Sequence, residues 1–343
     1  MYNEYMNSGL KFLTLNCWGL PFLTPFKDRR LDAISEIIRN GKWDVVALQE
    51  VWLKRDQQRI IKKACFPHHV AFDKGYRFFG SGGLMILSKY KILEHDFHTF
   101  IVKGFPHRLH EGDFHAAKGI GYALLDTPMG KLPIFTTHLI AKYARRQEND
   151  INRVFRMAQM LELILYIRRK ATPSGFVLCG DLNATEADLE LETLYALTGV
   201  SREWRMNLRS FRKRLDHIMC GATLANMNFR IANASLVLRS SFSSEKIPYS
   251  DHEGVSALIR PAEASVTALG TKRILERTLR YMKYSMHAVR QLDDWIRCLP
   301  LAGPLSSHFM APQFTYIEAL VNMVETELKA NDSKHPLGLN EVI

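Results

Sequence analysis

Residues 176–194 read FVLCGDLNATEADLELETL. A short apolar run ends in Asp181 and Asn183, and a helical pattern begins almost at once. A strand that delivers polar side chains at its C-terminal end and then feeds a helix is the working unit of an α/β fold. Two readings of the polar pair compete. Asn183 followed three residues later by Glu186 suits a helix N-cap, where a side-chain oxygen satisfies orphan N–H groups. Alternatively the pair is held at the strand end for chemistry, and Thr185, spaced three residues from Asp188, supplies the helix start.

Outward from this segment the same unit recurs. LKFLTLNCW, from residue 10, reads as a strand, and RRLDAISEIIRN as a helix with Leu31, Ile34, Ile37 and Ile38 on one face. WDVVALQEV is nearly continuous in apolar and β-branched residues, the mark of a strand buried on both sides. GLMILSK and KLPIFTTHLI add two more strands. A helix over 147–169 carries Val154, Ala158, Leu161 and Leu165 at helical spacing. Beyond the opening segment come a helix at 187–197 and strands near 215–220, 228–238 and 254–259. The pattern predicts an α/β sandwich with central sheets flanked by helices, occupying residues 1–260. RPAEASVTALGT, 260–271, reads as a linker, and 261–343 as that linker plus a C-terminal helical extension. There, Leu275, Leu279, Met282, Met286 and Val289 form one apolar stripe, and Ile317, Leu320, Val321, Val324 and Leu328 a second over 315–329. Two matching stripes predict a helical hairpin. The alternative is that the basic helix near 272–297 lies on an anionic bilayer.

The chain has 343 residues, 47% of them hydrophobic, enough to build a core and exclude a disordered protein. Glu4 stands where a signal peptide needs a basic region, and no apolar run reaches the ~18 residues of a membrane span. Five cysteines without scaffold spacing suit a reducing compartment, so the expected location is intracellular, cytoplasmic or membrane-peripheral. The net charge of +11 favours an anionic partner, nucleic acid or acidic lipid, without choosing between them.

Several strands end in residues able to do metal or phosphate chemistry. The first yields Asn16, VVALQE yields Glu50, PIFTTH yields His138, and FVLCGD yields Asp181 with Asn183. Asp216 stands in a further strand, and Ser250, Asp251 and His252 precede the last. Each alone reads as a turn residue, a surface carboxylate or a satisfied histidine. Their common place at strand ends is the stronger signal, because loops at one end of such sheets build sites. Glu50, with Asn16 or Asp251 nearby, offers the hard oxygen ligands that suit Mg²⁺. His252 can act as a general base if Asp216 orients its second ring nitrogen.

LTLNCWGLP, VVALQEVW, GGLMILSKYKI, TTHLIAKY, CGDLNA, RLDHI and YSDHEGV follow the order seen in the endonuclease/exonuclease/phosphatase superfamily, which this chain resembles over residues 10–260. NCWG, LQEVW and HEGDFHAAKGIG look most like its neutral sphingomyelinase and phosphosphingolipid phospholipase C branch. The resemblance implies a four-layer α/β sandwich, with two central, mainly antiparallel sheets. It implies Glu50, Asn16 and the accessory carboxylate Asp251 at a Mg²⁺ site, for which Mn²⁺ can substitute. Asp181 and Asn183 match the pair that positions water and phosphate, His252 the general base, Asp216 its partner, and His138 a stabiliser of phosphate charge. Asp113 and Lys118 match a regulatory switch pair; the plainer reading is a weak exposed ion pair. The implied reaction is hydrolysis of sphingomyelin or a related phosphosphingolipid to ceramide and a phosphorylated headgroup.

Two departures stand out. The stretch from Asn183 to Asp216 is short and basic, ending NLRSFRKRLDH, so Arg209, Arg212, Lys213 and Arg214 can contact an acidic headgroup or anionic lipid, or form a solvated face. The membrane-spanning C-terminal helices frequent among related eukaryotic enzymes are expected to have no counterpart within these 343 residues. GLPFLTPF, just after Asn16, offers Phe22 and Phe26 to a bilayer or to the core. A nuclease is the enzymatic rival, and a non-catalytic lipid-binding or scaffold protein the third reading.

Overall fold

A computed structural model describes residues 9–21, 23–73, 82–109, 111–143, 150–172, 175–200, 214–221, 226–265, 271–298 and 303–332. Two sheets form the centre. The six-stranded sheet runs β10 (Asn226–Val237), β13 (Gly254–Ser265), β1 (Leu10–Asn16), β2 (Val45–Gln49), β4 (Leu84–Ser88), β3 (His68–Phe72). The five-stranded sheet runs β5 (Lys91–Thr99), β6 (Gly119–Thr127), β7 (Gly130–His138), β8 (Phe176–Asp181), β9 (Asp216–Gly221). A two-residue hairpin, β11 (Ser241–Phe242) with β12 (Ile247–Pro248), precedes β13. Each large sheet is antiparallel except for one parallel pair, β1 with β2 and β7 with β8.

Period-two alternation makes the layers. In β1, Phe12 joins the core between the sheets while Leu13 and Leu15 face outward; in β2, Val45 and Ala47 point inward and Val46 and Leu48 outward. The outward residues of the first sheet pack on helices α1 (Lys27–Asn40) and α2 (Lys54–Ala64), through Leu31, Ile34, Ile38 and Ile60. The second sheet is covered by α3 (Arg153–Lys170) and α4 (Leu189–Thr198). The result is the four-layer sandwich, and both buried faces of the central strands explain their unbroken apolar runs.

The C-terminal pair α5 (Thr271–Arg297) and α6 (Gly303–Asp332) belongs to the same core. Leu275, Met282 and Val289 of α5 meet Ile317, Leu320 and Val324 of α6 in the cluster that also holds Leu161 and Leu194. The apolar stripe of α5 is therefore spent on packing, which corrects the reading in which that face lies on a bilayer. The hairpin also explains α3, which is buried on nearly every side.

Four boundaries differ from expectation. The strand at 254–259 continues as β13 to Ser265, paired with β10, so 260–265 is sheet rather than linker. Helix α3 starts at Arg153, not 147; residues 147–149 lie outside the described residues. The second C-terminal helix starts at Gly303, not 315, with Pro312 inside it. Proline costs a helix about 3 kcal/mol in water, but here the adjacent Gln313 is buried and accepts hydrogen bonds from the Lys103 and Gly104 amides at 2.6 and 3.0 Å. Finally, α4 starts after Asp188, which is its N-cap residue. Asp188 accepts from the Thr185 amide and hydroxyl at 2.7 and 2.8 Å, so neither Asn183 nor Thr185 caps the helix.

Candidate active site

The two parallel pairs bring four strand ends to one place. Asn16 lies opposite Gln49 in register, one residue before Glu50, and His138 lies opposite Asp181. Asp181 also faces Asp216, the first residue of the antiparallel β9. Gly180 of β8 lies opposite Thr137 of β7, at φ +143°; a Cβ there would stand 2.1 Å from the Thr137 carbonyl oxygen. That close approach explains the glycine in CGD.

Between the sheets the side chains meet. The Asn16 amide nitrogen donates to Glu50 Oε1 at 3.0 Å and to Asp181 Oδ2 at 3.1 Å. Its oxygen accepts from the Trp18 amide at 3.0 Å, so Asn16 here organises two carboxylates. Burial pushes the Glu50 carboxyl up from its ordinary range, a shift that Asn16 and the Lys118 charge oppose and Asp181 and Asp251 reinforce. Burial, and then the neighbouring Asp216 charge, raise Asp181 to about 6.

His252 Nδ1 lies 2.6 Å from Asp216 Oδ2, and its Nε2 faces Asp181 Oδ2 at 3.9 Å. Burial works against the charged imidazolium. The hydrogen bond and charge of Asp216, helped by Asp181 and Asp251, override it and lift His252 to about 10. Ligand atoms of Asp181, Asp216 and His252 lie within 4.8 Å of one another, close enough to surround a cation. The short Asp216 contact instead marks a carboxylate–histidine pair, with Asp181 across from its free nitrogen.

On the other side stands a second chain of contacts. Lys118 Nζ lies 2.5 Å from Asp113 Oδ1 and 3.1 Å from His138 Nε2, and donates to the Leu139 carbonyl at 3.0 Å. Asp113 and Lys118 are each 6% exposed, so they are not the solvated loop pair of the plainer reading. The Tyr143 hydroxyl holds the other Asp113 oxygen at 2.9 Å. Burial, with the charges of Lys118 and His252, keeps His138 well below its ordinary pKa. The histidine is therefore neutral, and the positive charge on this side belongs to Lys118.

The other expected residues distribute as follows. Asn183 is buried beside Asp181, its amide donating to Asp181 Oδ1 at 2.9 Å and its side chain to the Leu139 carbonyl at 3.0 Å. Asp251 is exposed at the lip, where its charge acts on Glu50 and His252. Phe26 is exposed. Arg214 is buried and paired with Glu253, which corrects its reading as a headgroup contact. Phe22, Arg209, Arg212 and Lys213 lie outside the described residues.

Sequence reasoning missed Arg30. Its guanidinium is fully buried and donates to the carbonyls of Pro25, Cys17, Tyr249 and Trp18 at 2.7–3.2 Å. It thereby ties the exit of β1 to the segment carrying Asp251 and His252. Ser250 does the same from the other side, its hydroxyl donating to the Asn16 carbonyl at 2.6 Å. The signal was present: Arg30 shares the i, i+4, i+8 face of Ile34 and Ile38, and a cation in a first helical turn opposes the dipole.

The donor set fits a hard divalent cation. Glu50 Oε2 is buried without a hydrogen-bond partner while Oε1 is engaged by Asn16, leaving one carboxylate oxygen for a metal.

The model of the Endonuclease/Exonuclease/phosphatase family matches residues 13–252. A Drosophila melanogaster protein described as a putative neutral sphingomyelinase is 31% identical over 273 residues, covering 73% of this chain and 60% of that one. Sphingomyelin phosphodiesterase 2 of Homo sapiens is 32% identical over 192 residues, covering 56% and 45%. The chain thus spans 60% or less of the length of these curated relatives. A mutant beta toxin from Staphylococcus aureus, solved with bound magnesium ions, superposes with a TM-score of 0.54 at 17% identity, over 73% of this chain and 99% of that one. Strand order, the polar residues gathered at the strand ends and the family match over 13–252 lead to one statement: the chain belongs to the endonuclease/exonuclease/phosphatase family.

Proposed function

We propose that the protein is a Mg²⁺-dependent phosphodiesterase of the phospholipase C type, hydrolysing sphingomyelin or a related phosphosphingolipid. The observation that carries this reading is the meeting, at one mouth, of a free carboxylate oxygen on Glu50, a His252–Asp216 pair and a buried Lys118–His138 contact. The names of the fly and human relatives support a lipid substrate.

Glu50 would hold the cation, with Asn16 positioning it and Asp251 adding charge from the lip. A bound Mg²⁺ would neutralise phosphate charge and offset part of the carboxylate field that keeps His252 protonated. With Nδ1–H donated to Asp216, His252 Nε2 takes a proton from water as its oxygen attacks phosphorus. Asp181 and Asn183 orient that water and the phosphate, and Lys118 opposes the charge that develops on the phosphoryl oxygens. The phosphorus–oxygen bond to the ceramide oxygen breaks, that oxygen leaves as ceramide with a proton from solvent water, and His252 returns its proton to solvent. The headgroup keeps the phosphate.

The test assays purified protein with Mg²⁺, with Mn²⁺ and with chelator against sphingomyelin, inositol phosphosphingolipid, lysophospholipid and DNA. Expected are lipid cleavage, its loss on chelation, and a drop of at least ~10³-fold in Glu50→Ala and His252→Ala, the combined scale of metal and base catalysis. DNA cleavage without lipid cleavage would transfer the site to the nuclease reading, which the net charge of +11 also suits. Unchanged rates in both variants would sink the mechanism.

A further inference from the structure

Exposed apolar side chains are ordinary when scattered and informative when gathered. Among the described residues ten large apolar or aromatic side chains are exposed, and seven of them lie on segments at the catalytic end of the strands. Leu20, Leu23 and Phe26 follow the end of β1, a few residues beyond Asn16. Ile101 and Leu109 lie between β5 and β6, the segment that also carries Asp113 and Lys118. Antiparallel pairing sets Ile120, at the start of β6, opposite Thr137, next to His138, so this segment emerges at the same end. Phe309 is joined to it by ring contact with Phe114 at 5.2 Å, and Tyr143 leaves the end of β7. Only Leu93, Tyr284 and Trp295 lie elsewhere.

The fold does not account for the most exposed members of this rim. Leu23 is 79% exposed and Leu109 68%, so neither contributes to a core. The two lips come from different sheets and flank a mouth that is polar at its base. We propose that the rim docks the protein on a lipid bilayer, its two lips entering the acyl boundary while the mouth between them meets the headgroup layer. A phosphosphingolipid carries its phosphate at that depth, directly above its chains, so lips and mouth match the substrate's two chemistries together. The net charge of +11 adds attraction to an anionic leaflet. This inference rests on the phosphosphingolipid reading for its occupant, and it recruits residues on both sheets.

The experiment separates the two. Flotation with vesicles of phosphatidylcholine and sphingomyelin, in chelator and at high salt, measures docking without turnover. Parallel assays compare vesicle-embedded sphingomyelin with a water-soluble phosphodiester such as bis(p-nitrophenyl) phosphate. Leu23→Ser with Leu109→Ser should weaken vesicle binding about tenfold per side chain and slow vesicle hydrolysis to match. Turnover of the soluble ester and the thermal midpoint should stay at wild-type values. Leu93→Ser, near the start of β5 and away from its catalytic end, should behave as wild type throughout. Docking by wild type without lipid hydrolysis would leave this proposal standing and remove the proposed function. Wild-type vesicle binding by the double variant would overturn the docking rim, as would binding that salt abolishes. So would loss of binding in Tyr284→Ser with Trp295→Ser instead.

Discussion

Three residues at the site, Trp18, Glu50 and Asn183, hold left-handed backbone at φ 49°, 60° and 46°. Each costs of order 1–2 kcal/mol for a residue with a Cβ, somewhat less for asparagine. Hydrogen bonds of the surroundings hold them: Trp18 bonds to Asn16, and Asn183 to Asp181 and Leu139. That Asp181 and Asn183 are polar residues at a strand end is legible in CGDLNA. That Asn183 turns back onto Asp181 instead of capping the next helix is not, because a cap and a turn use the same side-chain chemistry. His252 carries the sharpest prediction at this scale. In metal-free protein its imidazole should titrate near 10, followed by NMR of the ring protons, and Asp216→Asn should lower it. A histidine raised above its unfolded value of about 6.5 adds stability that is present below that pH. The contribution then fades as pH climbs through about 10. Denaturation of the apo protein should therefore ease over this window in wild type and less so in Asp216→Asn. A His252 titration unmoved by the substitution would break the pairing argument.

At the scale of elements, helix α1 does more than cover a sheet. Through Arg30 it gathers four carbonyls from two chain segments that are more than 200 residues apart in sequence, and stacks on Trp18 at 4.7 Å. Arg30→Lys keeps the charge but loses the fork, stranding at least two buried carbonyls at roughly 1–3 kcal/mol each. The expected result is a kcat at least ~10-fold lower, with a higher Mg²⁺ requirement, in protein that keeps its circular dichroism. Wild-type kcat alongside a lowered melting temperature would make Arg30 a purely structural cation. The periodicity of α1 was readable from Leu31, Ile34 and Ile38. The carbonyls Arg30 serves were not, since they become neighbours only when β1 and β13 pair.

For the molecule as a whole, the C-terminal hairpin is the outer wall of the second sheet's core. Leu275 is fully buried in the cluster shared by α3, α4 and α6. Leu275→Ala should lower unfolding free energy by about 2–5 kcal/mol, the range for a leucine cavity. Urea unfolding should still show one transition, because the hairpin and the sandwich share that cluster. Two separated transitions would instead mark the hairpin as an independent unit. None of the helices in the described residues is long and apolar enough to cross a membrane.

The sequence by itself determined the α/β class, most strand and helix positions, and which polar residues end strands, because these follow from local periodicity and turn chemistry. Only the tertiary structure decided that Lys118 lies against His138, that Arg30 serves the site and that the stripe of α5 faces α6. Each of these is a contact between distant segments. Its energy depends on burial and on which charges share a low-dielectric space, and neither exists until the chain has folded.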